Sequence, residues 1–192
     1  PYRPNRRTRA TIAKEKGLEP LANLILLQKM TETPLEEAKK YINPEKEVNT
    51  AEDALNGAKD ILAESVSDNA DFRTHIRELT MKHGQLLSAA KDPEAESVYE
   101  MYYEFSESLS KLAGHRILAI SRGEKEKFLT VKIDAPVDRI LSYLDRKLIT
   151  APSAPTAAVL HEVTEDAYNR LIAPAIEREI RNDLFEKAED GA

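Results

Sequence analysis

The chain has 192 residues, of which 41% are hydrophobic, 32% charged and 6% aromatic, and its net charge is −6 at pH 7. This balance fits a charge-decorated helical protein rather than a disordered chain or a glycine-rich β-barrel. No apolar run approaches the ~20 residues of a membrane span, no secretory signal is visible, and the absence of cysteine excludes disulfides and thiolate metal sites. We therefore expect a cytoplasmic protein with no membrane partner.

The first predicted element is an extended cationic arm, followed by a short helix over residues 9–16 that ends at Gly17. The first sixteen residues carry a net charge of +5, and the remainder of the chain carries −11. The arm contains four arginines: Arg3, Arg6, Arg7 and Arg9. Guanidinium groups suit phosphate or carboxylate equally. The arm is therefore either a nucleic-acid contact or a segment lying across acidic surface of its own chain.

Capping signals and apolar spacing predict the next helices. Thr33 begins a capping box with Pro34 at the first helical position, and Thr50 caps a longer helix with the 3.6-residue period. Gly57 lies inside that helix and indicates close packing. Further helices are predicted over residues 70–83 and 93–109. The second of these rests on the spacing of five apolar residues: Val98, Met101, Tyr102, Phe105 and Leu109.

A short helix is predicted after Gly114, with Gly123 permitting a turn after it. Arg116 and Arg122 point away from the apolar side of this helix. They are candidate phosphate contacts, and the favoured alternative is that they pair with Glu124, Glu126 or carboxylates of the terminal helix.

One short strand is predicted around residues 128–133, because apolar and polar residues alternate there with the two-residue period of a half-buried strand. A single strand is unstable alone. Its partner is expected around residues 86–88 or in chain beyond this sequence.

The C-terminal part contains the longest helical pattern of the chain. Residues 150–156 are rich in proline, and apolar positions then repeat with helical spacing over residues 157–189. Pro174 cannot donate to the carbonyl of Arg170, so a kink or a break is expected there. The predicted fold is mainly α, a multi-helix assembly with one strand. We predict a helical domain over 1–150 with the basic arm, a connector over 151–156 and a long central helix over 157–192.

The motifs for catalysis or metal binding are missing from the sequence. No two of the four histidines, His75, His83, His115 and His161, are three or four residues apart. No nucleophile motif occurs, and the six glycines are too scattered for a phosphate-binding loop. The sequence therefore predicts a protein that is not an enzyme and that uses no metal or other cofactor.

Three separated stretches, in order along the chain, resemble the Tex family of bacterial transcription accessory proteins. They are YRPNRRTRATIAKEKGLEPLA near the start, GHRILAISRGEKE at residues 114–126 and LIAPAIEREIRNDLFEKAE at residues 171–189. Ser121 departs from the asparagine that is usual in the family.

The resemblance implies a helical region of a larger protein. In that protein a ribonuclease-H-like domain, helix-hairpin-helix elements and an RNA-binding OB-fold domain would follow. The implied function is a non-catalytic scaffold of a nucleic-acid-binding transcription accessory protein. Nucleic acid, RNA or DNA, would be bound mostly by those other domains, and this chain would add at most weak phosphate contacts. The alternative is a protein-interaction module that contacts transcription or ribonucleoprotein machinery.

Overall fold

The structure is a computed structural model that describes residues 7–190, so Arg3 and Arg6 lie outside the described residues. The chain forms two compact units. Unit 1 comprises Pro1–Phe72 and Leu141–Ile172, and unit 2 comprises Arg73–Ile140 and Ala173–Ala192. Each unit is therefore built from segments that are far apart in sequence. The division predicted at residues 150 and 156 stays a prediction.

The regular elements of residues 7–190 are helices and three short strands. In chain order they are α1 (Arg9–Glu15), α2 (Glu19–Leu27), α3 (Pro34–Ala38), α4 (Ala51–Ser67), α5 (Ala70–His83), β1 (Gln85–Ala90), β2 (Glu104–Ser108), α6 (Gly114–Lys125), β3 (Leu129–Asp134), α7 (Val137–Leu148), α8 (Thr156–Asp166), a π-helical segment (Ala167–Ile172) and α9 (Ala173–Asp190). None of these helices is long and apolar enough to span a bilayer.

Threonine caps fix where three helices of unit 1 begin. The hydroxyls of Thr8, Thr33 and Thr50 accept hydrogen bonds from backbone N–H groups of the first turns of α1, α3 and α4. Each cap satisfies a donor that the helix itself leaves unpaired. Gly17 follows α1 with φ +80°, the left-handed conformation that glycine adopts at low cost. These helix starts agree with the sequence prediction.

Helix α4 is the centre of unit 1, and α1, α2, α3 and α8 all pack against it. Small residues allow this close approach, since Ala54 and Ala58 are completely buried. Gly57 is the tightest position, because a Cβ there would lie 2.3 Å from the Cδ1 of Leu18 and 3.3 Å from the Cβ of Ala13. The close packing predicted for Gly57 is confirmed.

Unit 2 contains an antiparallel sheet of three strands in the order β2-β1-β3. The predicted strand is confirmed as β3, and its partner β1 includes the predicted residues, with Leu86 opposite Ile133 and Ser88 opposite Val131. The side chains of Leu129, Val131 and Ile133 are buried on one face of the sheet. Helix α6 contacts both β3 and α9.

The helix predicted over residues 93–109 is wrong. That segment instead forms turns, a short 3₁₀ helix (Glu100–Tyr102) and strand β2. Val98 and Met101 are 85% and 70% exposed, so they do not belong to a buried helical stripe. The spacing of five apolar residues mimicked a helix, whereas the pairing of β2 with β1 depends on residues about twenty positions away.

The turn predicted at Gly123 is also wrong, because α6 continues through it to Lys125. A Cβ at Gly123 would lie 2.4 Å from the Cδ1 of Leu129, so this glycine lets β3 approach the helix. The left-handed residue comes four positions later, at Lys127, with φ 67°.

Helix α8, the π-helical segment and α9 follow one another as a C-terminal helix of 35 residues. The irregularity predicted near Pro174 is present as the π-helical segment, which ends two residues before the proline. A wider π turn accommodates a position where the regular hydrogen bond is lost. The helix is therefore irregular at this point but is not broken.

Candidate nucleic-acid interface

Of the four arm arginines, Arg7 and Arg9 lie within the described residues. Arg7 is exposed, and its Nη1 lies 3.0 Å from the Oε1 of Glu15 and donates to Oε2 at 3.1 Å. The two side chains are 61% and 51% exposed, so this ion pair contributes little to stability. It nevertheless gives Arg7 a carboxylate partner on the adjoining helix.

Arg9 is exposed on α1 and lines a cleft of unit 1 together with Asn56, Lys59, Asp60 and Asp166. Burial raises the pKa of Asp60, and the positive charges of Arg170 and Arg9 oppose that rise. The hydrogen bond from Arg170 lowers the pKa of Asp166, to which Arg9 adds a smaller attraction. Arg9 therefore faces carboxylates of its own unit, and those carboxylates repel phosphate from the same cleft.

Arg116 lies on α6 in unit 2 and donates from Nη1 to the Oε2 of Glu107 on β2 at 2.7 Å. Its guanidinium also lies 5.8 Å from the centre of the Phe105 ring, within the range of a cation–π contact. Arg116 is therefore paired, as favoured from the sequence, but its partner comes from a strand that the sequence did not reveal.

The carboxylates expected to pair with Arg116 and Arg122 have other partners. Glu124 accepts from Arg181 at 2.5 Å, and Glu126 accepts from the hydroxyl of Tyr99 at 2.7 Å. Within residues 7–190, Arg122 forms no ion pair and is exposed. Arg122 is thus the candidate whose guanidinium remains most available to a ligand.

The candidate arginines do not converge on one site within either unit. Arg7 and Arg9 flank the start of α1 in unit 1, whereas Arg116 and Arg122 belong to α6 in unit 2. Arg122 follows Arg116 by six positions on α6. With 3.6 residues per turn, the two side chains therefore leave the helix about 120° apart around its axis. They do not form a two-pronged phosphate clamp on α6.

Two polar residues that the sequence analysis did not single out form long-range hydrogen bonds, one within unit 1 and one within unit 2. In unit 1, Gln28 donates to the carbonyl of Leu148 at 2.9 Å and accepts from the N–H of Thr150 at 2.8 Å. In unit 2, Arg181 donates to the carbonyl of Val131 at 2.9 Å, besides its bond to Glu124. Neither role has a sequence signal, because each partner is fifty or more residues away.

One group of side chains in unit 1 superficially resembles a catalytic arrangement. The Nδ1 of His161 lies 2.7 Å from a carboxylate oxygen of Asp145, and the hydroxyl of Thr164 donates to the other oxygen at 2.6 Å. The hydrogen bond to Asp145 raises the pKa of His161. Since Thr164 contacts the carboxylate rather than the imidazole, the group links α7 to α8 and lacks a nucleophile paired with a base.

Metal ligation finds no support within the described part of the chain. No group of three or more histidine, aspartate or glutamate side chains there has an arrangement that would hold a metal ion. Glu165 lies one turn after His161, but its oxygen is 3.7 Å from Nε2, and the two form a loose ion pair.

The chain is similar to known proteins over its whole length. Residues 29–192 match the family model described as Tex central region-like. The chain is 49% identical to the protein YdcI of Bacillus subtilis over 195 aligned residues, covering 100% of the chain and 27% of that protein. It is 37% identical to Protein tex of Bordetella pertussis, covering 98% of the chain and 26% of that protein.

A human protein is similar as well. The chain is 32% identical to the S1 RNA-binding domain-containing protein 1 of Homo sapiens, covering 95% of the chain and 19% of that protein. The chain thus spans about a quarter of the length of the two bacterial relatives and about a fifth of the human one. Because a family model matches most of its residues and relatives align with nearly all of the chain, the chain belongs to the Tex family of transcription accessory proteins.

Proposed function

We propose that this chain is a non-catalytic helical scaffold of a nucleic-acid-binding transcription accessory protein, with at most weak phosphate contacts of its own. Family membership supports the link to transcription. The human relative is named for an S1 RNA-binding domain, and this chain covers only 19% of that protein. The main binding surface for RNA or DNA is therefore assigned to parts of the whole protein other than this chain.

The observation that carries the weak-contact part of the proposal is the use of arginine within each unit. Arg7 and Arg116 are paired with Glu15 and Glu107, and Arg9 faces acidic groups. Each guanidinium committed to a carboxylate must give up that partner before it binds phosphate, which cancels much of the gain. Arg122 remains without such a partner among residues 7–190.

The experiment is a salt titration of binding to a fluorescein-labelled 20-base-pair duplex, followed by anisotropy. One phosphate contact, from Arg122, predicts a dissociation constant no tighter than about 10⁻⁴ M and a log–log salt slope of about −0.9. The variant Arg122→Glu is expected to abolish this binding.

The matched control is Arg178→Glu, which makes the same charge change at another exposed arginine of unit 2. It should leave the salt slope unchanged. Equal losses in the two variants would mean that net charge alone governs the binding, and the assignment of Arg122 would be wrong. Submicromolar binding by the unmodified chain would contradict the scaffold proposal.

The second candidate is a protein-interaction module that contacts transcription or ribonucleoprotein machinery. The net charge of −6, which opposes binding to nucleic acid, favours it. Replacing Arg122 by glutamate separates the two functions. Lost nucleic-acid retention with unchanged capture of RNA polymerase supports the scaffold proposal. Lost capture with unchanged nucleic-acid retention supports the interaction module.

A further inference from the structure

Strand β2 has an edge with no neighbouring strand. In the order β2-β1-β3, β1 occupies only one side of β2, and no other strand of residues 7–190 joins this sheet. The hydrogen bonds from Ala90 N to Tyr103 O and from Leu109 N to Gly84 O orient the odd-numbered residues of β2 towards β1. In an antiparallel pair the alternate residues then direct their N–H and C=O groups outwards. Glu104, Ser106 and Ser108 therefore present a row of free backbone donors and acceptors.

Two apolar side chains are exposed in the segment that precedes β2 in the chain. Val98 is 85% exposed and Met101 is 70% exposed, which are the highest values among the large apolar residues of residues 7–190. Met101 belongs to the 3₁₀ helix that contacts β2, three residues before the strand begins. Together with the outward-facing residues Glu104, Ser106 and Ser108 of β2, they form what we call the β2 edge surface.

The segment that carries these apolar residues is anchored rather than loose. Tyr99 is 6% exposed, and its hydroxyl donates to Glu126 at 2.7 Å. The hydroxyl of Tyr103 donates to the carbonyl of Ala95 at 2.8 Å and lies 2.7 Å from the Oγ of Ser97. Because the neighbouring tyrosine side chains are fixed, the segment needs little further ordering when a partner binds and covers Val98 and Met101. Fixed, exposed apolar groups are typical of binding anchors.

The negative charge of this segment indicates which kind of partner would bind it. Residues 92–107 include six carboxylates and no lysine or arginine. Of these carboxylates, Glu100 and Glu104 are exposed, in the 3₁₀ helix that contacts β2 and at the first residue of β2, and neither forms an ion pair within the described residues. Such a surface repels nucleic acid and a second copy of this acidic chain, and it attracts positive side chains.

We infer that the β2 edge surface binds an extended peptide segment of a partner protein, in which lysine or arginine alternates with apolar residues. The segment adds as a fourth strand next to β2. Its backbone bonds to the outward groups of Ser106 and its neighbours, its cations meet Glu100 and Glu104, and its apolar residues cover Val98 and Met101. This site is separate from the phosphate contacts of the proposed function and carries a different partner.

The test uses the whole chain and a fluorescein-labelled, end-blocked peptide of four lysine–valine repeats, with binding followed by anisotropy. Saturable one-to-one binding is expected. Ser106→Pro removes an outward N–H that β1 does not use and should weaken binding at least tenfold. An N-methylated peptide, which keeps its side chains but lacks backbone donors, should bind the unmodified chain at least tenfold more weakly, so the result does not depend on a variant that folds.

Matched variants separate this site from general charge attraction. Val98→Ser with Met101→Ser should weaken binding about tenfold, whereas the same change at two exposed apolar residues of unit 1, Leu27 and Ile42, should not. Glu100→Lys with Glu104→Lys should abolish binding. The control for charge is Glu32→Lys with Glu45→Lys, which should retain most of the binding.

Three results would overturn the inference. Equal affinity for the N-methylated peptide would mean that no strand is added. A dimer in light scattering that Ser106→Pro dissolves would mean that a second copy of the chain occupies the edge. A single-stranded oligonucleotide that binds and is lost in the Ser106→Pro variant would assign the surface to nucleic acid.

Discussion

The two units use different means to build a core. Unit 1 packs helices around α4 through small residues, so backbone meets backbone at Ala54, Gly57 and Ala58. Unit 2 places α6 on a three-stranded sheet and closes the far side of β3 with a side chain, Arg181, that bonds the carbonyl of Val131. Helices satisfy their own backbone groups, whereas a short sheet leaves edges. The helices of unit 1 therefore pair most of their backbone groups internally, whereas the sheet of unit 2 retains an open edge at β2.

The largest expected effect comes from removing a core side chain in each unit. Leu160 in unit 1 and Ile120 in unit 2 are both completely buried, so replacing either by alanine should cost about 2–5 kcal/mol of unfolding free energy. Urea denaturation followed by circular dichroism measures the loss. Leu27→Ala, at a residue 60% exposed, is the control and should change stability by less than about 0.5 kcal/mol. A cost below 1 kcal/mol for Ile120→Ala would mean that the sheet has no true core.

The second prediction compares the two tightly packed glycines. A Cβ at Gly123 meets both Cδ1 and Cγ of the buried Leu129, at 2.4 and 2.8 Å, so Gly123→Ala should cost about 1–3 kcal/mol. At Gly57 the close contact under 3 Å is one methyl of Leu18, the far end of a flexible side chain. Both glycines lie inside helices, so alanine gains about 1 kcal/mol in helix propensity at each and the contacts decide the difference. Gly57→Ala should therefore cost clearly less.

Gly114→Ala is the control for this pair, since a Cβ there would meet nothing within 4 Å. Thermal melts of the three variants rank the effects. A larger loss for Gly57→Ala than for Gly123→Ala would contradict the comparison and would mean that Leu18 cannot move aside.

The third prediction concerns the long-range polar ties. Gln28 is 8% exposed and bonds Leu148, Thr150 and Ala151, so Gln28→Ala should cost about 2 kcal/mol. Arg181 is more exposed, and Arg181→Ala should cost about 1 kcal/mol. Denaturation by urea gives both values. Gln28→Glu keeps the acceptor but loses the donor, and Arg181→Lys keeps one charge, so each should recover part of the loss. No recovery in either variant would contradict the assigned bonds.

The smallest expected effect is a pH dependence of opposite sign in the two units. The hydrogen bond to Asp145 raises the pKa of His161 above its ordinary value of 6.5, so its stabilising contribution is present below pH 6.5 and is lost as the pH rises through the raised value. Burial and the charges of Arg139 and Lys82 lower the pKa of His83 below 6.5. The contribution of His83 is present above pH 6.5 and is lost as the pH falls through the lowered value.

Histidine NMR titrations measure both shifts directly. Asp145→Asn should bring the pKa of His161 back towards 6.5 and leave that of His83 unchanged. The effect of His161 on stability should stay below about 1 kcal/mol, because its side chain is 48% exposed. A His161 that titrates at or below 6.5 in the unmodified chain would contradict its bond to Asp145.

The candidate arginines show how far sequence reading reaches at the site. Local charge marked Arg7, Arg9, Arg116 and Arg122, and the structure gives two of them specific carboxylate partners. Glu15 is close to Arg7 in sequence and could have been proposed. Glu107 could not, because the apolar spacing predicts a helix over residues 93–109, where the structure has strand β2. Partners that are close in sequence can be proposed from the sequence, and partners on another strand cannot.

The sequence by itself determined the elements that depend on local rules. Threonine caps, Gly17 and the 3.6-residue period of α4 each act within a few residues, so they predict helix positions without knowledge of the fold. The alternation in β3 acts in the same way. The mainly helical class and the family resemblance follow from such features.

Tertiary structure decided the rest. Whether residues 104–108 became helix or strand depended on whether β1 was there to pair with them, since the free energy of a strand comes from its neighbours. The same holds for Gly123, whose lack of a side chain leaves room inside α6 for Leu129 to pack. It also holds for Gln28 and Arg181, whose partners lie far along the chain. Contacts between distant residues carry no periodic signal in sequence, because the chain brings them together only when it folds.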